Sequence, residues 1–335
     1  MAPQCPLCGS VNSQLVLTGR DEVIGHFPGP FQIRRCRDCP VMYTWPQPGE
    51  GELARAYSMP GLPWHDAEPV PQTRHPIRRL LARVAFGPLR WVPPLPPGSR
   101  VLDLGCGSGG FLASLRGKPW ELIGVDVSAE DVNQGRRLYG LDLRVGSLAE
   151  QRFPDGYFDC VFAWHVLEHL PRLWEALEEI RRVIKPGGWL VAAVPNAAWW
   201  GRHIFRAHWR GAWLPYHLYH FTPDALSWVV TRAGFTVDRV LFGPAQGELI
   251  ASLGLIVPWK PLRGCLLSYH RRITFRHPWA LAIKLLLLPL EYALVPIGQS
   301  YEFALVARRP REDNLTQGDV TSGEAQDKRV RPSFR

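Results

Sequence analysis

Residues 101–112, with the sequence VLDLGCGSGGFL, join a short apolar run to a cluster of glycines and then to a segment that can form a helix. This order predicts a buried parallel strand, a tight turn and a helix N-terminus. Glycines let a backbone turn sharply and let a ligand approach it closely. The helix start offers free N–H groups and the positive end of the helix dipole. The stretch therefore predicts the binding site of a cofactor.

Two cofactor classes fit such a turn, and acidic residues distinguish them. Gly105, Gly107 and Gly110 satisfy the dinucleotide pattern G-x-G-x-x-G, which is a weak signal by itself. Asp103, at the end of the strand, would repel a pyrophosphate but attract an ammonium group. S-adenosylmethionine carries such an ammonium group and no phosphate. Asp126, about 20 residues further on at the end of a second apolar run, suits the hydroxyls of a ribose.

The pattern at 99–197, resumed from Tyr216, resembles the class I S-adenosylmethionine-dependent methyltransferases. The resemblance implies an α/β fold with a Rossmann-like, doubly wound sheet of seven strands. It also implies that the glycine turn and Asp103 hold the methionine part of the cofactor and that Asp126 holds the ribose. The predicted cofactor residues follow strands of this sheet: Asp103, Gly105, Cys106, Gly107, Asp126, Val127, Ser147, Leu148 and Trp164.

The turn after the third predicted strand departs from the family pattern. Family members often place an acidic residue there, in contact with the adenine amino group. This chain reads Gly146-Ser147-Leu148 instead. A polar contact to the adenine is therefore expected from Ser147 rather than from a carboxylate.

Two histidine-bearing segments are expected beside the cofactor. His165 and His169 follow the fourth predicted strand, and ligands of an open α/β sheet lie outside the carboxyl ends of its strands. His217 and His220 precede a predicted helix and are the first candidates for a general base, with His165 and His169 as second candidates. Each of the four can instead bond to neighbouring backbone or pack in the core. The tryptophan- and arginine-rich segment at 199–213 is expected to form a movable cover.

Four cysteines form two C-x-x-C pairs near the N-terminus, Cys5 with Cys8 and Cys36 with Cys39. Four thiolates can close a tetrahedral zinc site and fold a ribbon that is too small to have its own core. Such a zinc ion is structural, because four thiolates leave no open coordination position. Some bacterial methyltransferases look similar, with a four-cysteine segment before the cofactor domain, and some of these act on sugars.

Punctuation by proline and glycine divides the chain into four predicted parts. A zinc-ribbon segment at 1–48 and a helical linker or cap at 49–98 precede a methyltransferase domain at 99–309. This domain contains a hydrophobic helical insertion at 243–300. A polar, disordered tail is predicted at 310–335.

The formal net charge of +9 is concentrated in three stretches without acidic residues, at 74–90, 202–210 and 260–276. Arginines mixed with bulky apolar residues fit a membrane surface or an anionic substrate, nucleic acid, or an ordinary solvated face. Residues 249–297 are predicted either to lie in the plane of a membrane surface or to form a buried cap or dimer contact. No signal peptide is evident, so a cytoplasmic protein is expected, with peripheral association with the inner face of the membrane as one alternative.

The sequence favours methyl transfer from S-adenosylmethionine to a small molecule, such as a sugar, a lipid-linked glycan or another membrane-associated metabolite. A nucleic-acid methyltransferase is disfavoured because no dedicated RNA-binding motif is evident, and a non-catalytic zinc and membrane adaptor is disfavoured by the intact cofactor motif. The acceptor atom and the oligomeric state are not determined by the sequence.

Overall fold

The computed structural model describes residues 2–57, 59, 92–243, 248–257, 286, 289 and 292–311. Most of the linker predicted at 49–98, most of the insertion predicted at 243–300 and nearly all of the tail predicted at 310–335 lie outside the described residues.

The described strands and helices alternate through most of the chain. The strands are β1 (Ser13–Gly19), β2 (Phe31–Cys36), β3 (Met42–Trp45), β4 (Arg100–Leu104), β5 (Glu121–Asp126), β6 (Asp142–Val145), β7 (Phe158–Trp164), β8 (Ile184–Pro195), β9 (Tyr219–His220), β10 (Thr236–Phe242) and β11 (Glu302–Arg308). The helices are α1 (Glu50–Tyr57), α2 (Gly110–Ser114), α3 (Ala129–Tyr139), α4 (Leu173–Val183), α5 (Gly201–Phe205), α6 (Pro223–Arg232) and α7 (Glu248–Ile256).

A seven-stranded sheet of order β10-β11-β8-β7-β4-β5-β6 forms the larger layer. Strands β8, β7, β4, β5 and β6 pair in parallel, whereas β11 pairs antiparallel with both β8 and β10. The central strands are almost wholly buried, as expected of a parallel sheet covered by helices on both faces. This is the predicted Rossmann-like, doubly wound architecture, closed by an antiparallel hairpin.

Local sequence signals explain where the helices around this sheet begin and end. The Ser128 side chain accepts a hydrogen bond from the Asp131 N–H and caps α3, and Gly140 ends that helix in a left-handed conformation. Thr222 caps α6 in the same way, with Pro223 in the first turn. These two helices follow the segments that carry Asp126 and the later histidines, so the caps help to fix both.

A second, smaller sheet accompanies the N-terminal cysteines: Cys36 ends β2, Cys5 and Cys8 precede β1, and Cys39 lies between β2 and β3. The strand order of this sheet is β1-β2-β3-β9, all antiparallel, and β9 lies in sequence between β8 and β10 of the larger sheet. Met42 pairs with His220, and Tyr43 pairs with Tyr219. The predicted ribbon and the predicted histidine segment are therefore neighbours in one sheet.

The aromatic segment at 199–213, which is predicted to form a movable cover, packs its tryptophans against the N-terminal sheet. Trp199 and Trp209 are 3% and 1% exposed, and they share a hydrophobic cluster with Phe31 and Ile33 of β2. Large aromatic side chains contribute most to stability when they are buried, and here the N-terminal sheet supplies the surface that buries them.

Among the described residues, no helix has the length and apolar character needed to cross a bilayer.

Candidate functional site

The glycine turn after β4 depends on backbone conformations that favour glycine. Gly105 and Gly107 have positive φ angles of 70° and 51°. The N–H groups of Gly105 and Cys106 both donate to the Val125 carbonyl, which holds the turn against β5. A Cβ atom on Gly105 would lie 2.4 Å from Val166 Cγ2. The turn therefore packs directly against the segment that leads into Glu168 and His169.

Asp103 lies near the end of β4, just before this turn, and its carboxyl group is buried. Its side chain is 2% exposed, and no described residue donates a hydrogen bond to Oδ1. Burial, and then the nearby charge of Asp126, raise the pKa of Asp103 well above its ordinary value. A buried carboxyl group without a partner fits a positively charged ligand group, such as the ammonium of an amino acid.

Asp126 connects the end of β5 to the glycine turn. Its Oδ2 accepts a hydrogen bond from the Gly107 N–H at 2.7 Å, and its Oδ1 accepts one from the Ser128 N–H at 2.8 Å. Each carboxylate oxygen can accept more than one hydrogen bond, so ribose hydroxyls can still donate to this group. Val127, the next residue, is 66% exposed and offers an apolar surface beside that carboxylate.

The other predicted cofactor residues occupy the same edge of the sheet. Cys106 is buried, and this burial raises the pKa of its thiol, which makes it unsuitable as a nucleophile. Leu148 is buried at the turn after β6. Trp164 ends β7 and contacts the rings of Phe111 and Phe162.

Sequence reasoning missed an acidic residue near the predicted adenine position. Glu150 Oε2 accepts hydrogen bonds from the N–H and Oγ of Ser147, at 2.6 and 2.8 Å. The turn thus carries a carboxylate, supplied three residues later than the family pattern places it. The S-x-x-E spacing of a capping box was the available signal.

His165 bridges two buried acidic residues. It has a positive φ of 54°, and its Nδ1 lies 3.3 Å from Glu168 Oε1 while its Nε2 lies 3.0 Å from Glu302 Oε2. Burial lowers the pKa of His165, but the two carboxylates outweigh burial and raise the pKa well above its ordinary value. A histidine that already carries the extra proton is a poor general base. Glu302, at the start of β11, could not be linked to this site from sequence spacing.

His169 and His217 form an imidazole pair whose ring centroids are 4.7 Å apart. His169 Nδ1 lies 3.0 Å from the Tyr216 carbonyl and 2.7 Å from the Tyr57 hydroxyl, and His217 Nδ1 lies 2.8 Å from the Gly211 carbonyl. Burial is the first cause that lowers the pKa of His169, and it lowers that of His217 further. Both rings are therefore neutral near pH 7.

His220 lies deeper in the N-terminal sheet. Its Nε2 is 2.9 Å from Thr44 Oγ1, which itself donates its single proton to the His217 carbonyl at 2.6 Å. His220 Nε2 must therefore carry the proton in its bond to Thr44. Burial lowers the pKa of His220 to about 3. These contacts suit a positioning residue better than a base.

The four N-terminal cysteines converge as a zinc ribbon requires. Their sulfur atoms all lie within 4.8 Å of one another, with Cys5 and Cys39 at 3.7 Å and Cys8 and Cys36 at 3.5 Å. Tetrahedral zinc–thiolate bonds of about 2.3 Å place sulfurs about 3.8 Å apart. The donor set and its spacing are consistent with a zinc ribbon.

Comparisons with known proteins agree with this geometry. A family model described as a methyltransferase domain matches residues 71–240, just over half of the chain. A protein of Mycolicibacterium smegmatis named "Probable S-adenosylmethionine-dependent methyltransferase" is 31% identical over 157 residues, which are 47% of this chain and 59% of the relative. A 2-methyl-6-phytyl-1,4-hydroquinone methyltransferase of Synechocystis is 36% identical over 104 residues, which are 30% of this chain and 33% of the relative. The aligned stretches thus span less than two thirds of either curated relative.

A solved structure of a SAM-dependent methyltransferase from Archaeoglobus fulgidus is 21% identical, covers 69% of this chain and 99% of its own, and has a TM-score of 0.45. The family match includes the glycine turn, Asp126 and Asp103, whose Oδ1 accepts no hydrogen bond from the described residues. This chain belongs to the methyltransferase domain family.

Proposed function

We propose that this enzyme transfers a methyl group from S-adenosylmethionine to a small-molecule acceptor bound on the histidine side of the glycine turn. The observation that carries the proposal is the buried Asp103 oxygen, which accepts no hydrogen bond from the described residues, beside two positive-φ glycines. This arrangement suits a compact ammonium group and leaves a pyrophosphate facing a buried acid.

Six of the nine predicted cofactor residues have a stated task in this proposal. Asp103 binds the ammonium group, and the backbone of Gly105 and Gly107 allows the methionine part to approach closely. Asp126 binds the ribose hydroxyls, while Val127 and the Ser147–Glu150 turn flank the adenine. The cofactor, when bound, supplies a methyl group that its sulfonium has already activated.

The chain must then orient an acceptor and manage its proton. His217 is the better placed of the two first candidates, because its Nδ1 is engaged by the Gly211 carbonyl and its Nε2 bonds to no described residue. His169 lies beside it with Nδ1 engaged in the same way. His220 supports this pair through Thr44, and His165 holds Glu168 and Glu302 together.

The acceptor class follows from the residues at this side of the turn and from the relatives. The histidine pair is bordered by Tyr57, Trp213 and Tyr216, which suit a partly apolar molecule with a polar reacting group. The Synechocystis relative is named for a hydroquinone. We favour a sugar, a lipid-linked glycan or another membrane-associated metabolite. Two of the three basic stretches that suggested nucleic acid, at 74–90 and 260–276, lie outside the described residues.

The experiment uses the full-length protein, methyl-labelled S-adenosylmethionine and a fractionated cell extract. Label is expected in the lipid or soluble-glycan fraction and to depend on Asp103. Asp142→Asn serves as the matched control, because Asp142 is an exposed acid at the start of β6. Label confined to RNA would contradict the proposed acceptor class, and failure to bind S-adenosylmethionine would contradict the cofactor assignment.

The cysteine cluster completes the proposal as a structural zinc ribbon. It holds β2 and β3 in the sheet to which β9 adds, and β9 continues directly from His217. Its task is to position the histidine segment rather than to take part in methyl transfer.

A further inference from the structure

A second group of metal-ligating side chains lies apart from the cysteines and from the predicted cofactor residues. Glu168, His169 and His217 each offer one ligand atom, and these atoms all lie within 4.8 Å of one another. Glu168 and His217 are buried, and His169 is half-buried. The available donors are one carboxylate oxygen and two imidazole nitrogens.

The two chain segments that carry these metal-ligating side chains are hydrogen-bonded to each other. The Leu218 N–H donates to the Glu168 carbonyl at 2.7 Å, next to the position of His217. His169 Nδ1 bonds to the Tyr216 carbonyl on the other side of His217. The three side chains are thus held together before any ligand binds, which reduces the cost of assembling a site.

The hydrogen bonds of both imidazoles allow the tautomer that a metal requires. A carbonyl oxygen can only accept a hydrogen bond, so the bond to Gly211 places a proton on Nδ1 of His217. His169 Nδ1 faces both the Tyr216 carbonyl and the Tyr57 hydroxyl, and it donates to the carbonyl when it carries the proton. In this tautomer the Nε2 atom of each ring keeps its lone pair, and within the described residues it has no hydrogen-bond partner. Histidine ligands of metals typically donate their other N–H to a carbonyl or carboxylate in this way.

Glu168 gives a second, independent indication of a cation site. Its side chain is 1% exposed, yet in the described part of the chain neither carboxylate oxygen accepts a hydrogen bond. The His165 ring makes one ion-pair contact, to Oε1, and among the described residues Oε2 has no partner. An acid this deeply buried is expected to be paired or to coordinate a metal.

We infer that Glu168, His169 and His217 bind a divalent first-row transition-metal ion through one carboxylate oxygen and the two Nε2 atoms. Two imidazoles and one carboxylate suit zinc, manganese, iron or cobalt, whereas magnesium and calcium prefer oxygen ligands throughout. Three protein ligands leave a coordination position for water or for an oxygen of the acceptor.

Metal analysis of the full-length protein tests this inference without any turnover, so its outcome is separate from that of the proposed function. The protein is incubated with Zn²⁺, desalted and analysed by inductively coupled plasma mass spectrometry. Glu168→Gln and His217→Ala are each expected to hold one zinc ion per chain less than the wild type. His203→Ala, which removes an exposed histidine, is expected to match the wild type. Equal zinc content in all four proteins would overturn the inference.

Replacement of zinc by Co²⁺ shows which site has lost its ion. The thiolate-to-cobalt charge-transfer band of the ribbon is expected to persist in Glu168→Gln, while the visible bands of the nitrogen and oxygen site disappear. Circular dichroism checks that each variant is folded. If a variant does not fold, the wild-type spectrum decides alone, because a spectrum with only thiolate-bound cobalt would overturn the inference.

Discussion

Asp103 is the residue on which the proposed cofactor site chiefly depends. Its burial between β5 and β7 is unfavourable for the free protein, because the charged form is removed from water and lies near Asp126. The same burial makes pairing with a ligand ammonium group strong, since water does not compete for the contact. Stability and ligand affinity are therefore expected to change in opposite directions when this charge is removed.

The first prediction concerns affinity. Asp103→Asn is expected to weaken S-adenosylmethionine binding by about tenfold to a hundredfold, because it removes a charged hydrogen bond worth about 1.5–3 kcal/mol. Isothermal titration calorimetry measures the effect. Asp142→Asn, which changes an exposed acid, is expected to keep the wild-type dissociation constant. An unchanged constant in Asp103→Asn would remove the main support for the cofactor geometry.

The second prediction concerns stability and pH. The pKa of Asp103 is higher in the folded protein than in the unfolded chain. Its favourable contribution is therefore full below the unfolded pKa, about 4, and is lost as the pH rises toward the folded value. Without cofactor, the wild type therefore loses a contribution that Asp103→Asn does not lose. The Tm of Asp103→Asn minus the Tm of the wild type is expected to become more positive as the pH is raised from about 4 to neutral. Differential scanning calorimetry across this range would reject the assignment if the gap between the two proteins stayed constant.

The third prediction separates the two histidines of the later segment. His217→Ala is expected to lower turnover by about a hundredfold or more, the usual scale for loss of proton management. His220→Ala is expected to act chiefly through stability, because it removes the bond to Thr44 in the sheet. Single-turnover methyl transfer, compared with Tm for each variant, distinguishes the two. A larger turnover loss in His220→Ala at unchanged Tm would reverse the assignment.

At the scale of elements, the turn after β4 packs directly against the turn after β7. Gly105 lacks the Cβ atom that would collide with Val166, and Val166 directly precedes the turn that carries Glu168 and His169. The cofactor turn and the acceptor-side residues are therefore positioned by the same contact.

The fourth prediction tests this contact. Gly105→Ala is expected to cost about 1–2 kcal/mol for its positive φ and about 1–3 kcal/mol more for the collision with Val166. Gly140→Ala is the matched control, because Gly140 also has a positive φ but has open space where its Cβ would lie. Chemical denaturation gives both free energies of unfolding. Equal losses in the two variants would show that the contact does not matter.

The elements that carry local signals are those that the sequence predicts best. The glycine turn, the caps at Ser128 and Thr222, and the apolar strands around them all follow from residues within a few positions of each other. The approach of Glu302 to His165 and of Tyr57 to His169 could not be predicted in this way. These contacts join segments separated by more than a hundred residues. No local sequence pattern specifies which distant segment of the chain packs against a given residue.

The packing of the aromatic segment at 199–213 shows the same limit. Its tryptophans between glycines predict a movable cover, but the sequence gives no indication that β2 supplies the surface that buries Trp199 and Trp209. Likewise, the two-residue strand β9 is too short to be recognised from periodicity, although it fixes the position of His217 and His220.

At the scale of the whole molecule, hydrogen bonds connect the sheet beside the cysteine cluster to the histidine segment at 217–220. Thr44 of β3 bonds to Leu218 through its N–H and to the His217 carbonyl through its hydroxyl. The indole of Trp174 on α4 donates to the Leu7 carbonyl within the first cysteine pair. Order in the ribbon is therefore expected to extend to the acceptor side of the site.

The fifth prediction follows from this connection. Loss of the ribbon metal in Cys36→Ser is expected to raise amide hydrogen exchange at residues 217–220 by about tenfold or more, because β9 loses its ordered neighbour. Exchange in β4 and β5 of the same sample is expected to stay unchanged and serves as the internal control. Hydrogen-exchange mass spectrometry with full protection retained at 217–220 would show that the two regions are independent.

The pairing of β3 with β9 also constrains how a nascent chain reaches this structure. Thr44 and His220 are 176 positions apart, so the ribosome must synthesise most of the larger sheet before the outer edge of the small one is covered. At about 5–20 residues per second this interval lasts about ten to thirty seconds. Throughout it, β3 presents an open edge to which another chain could add.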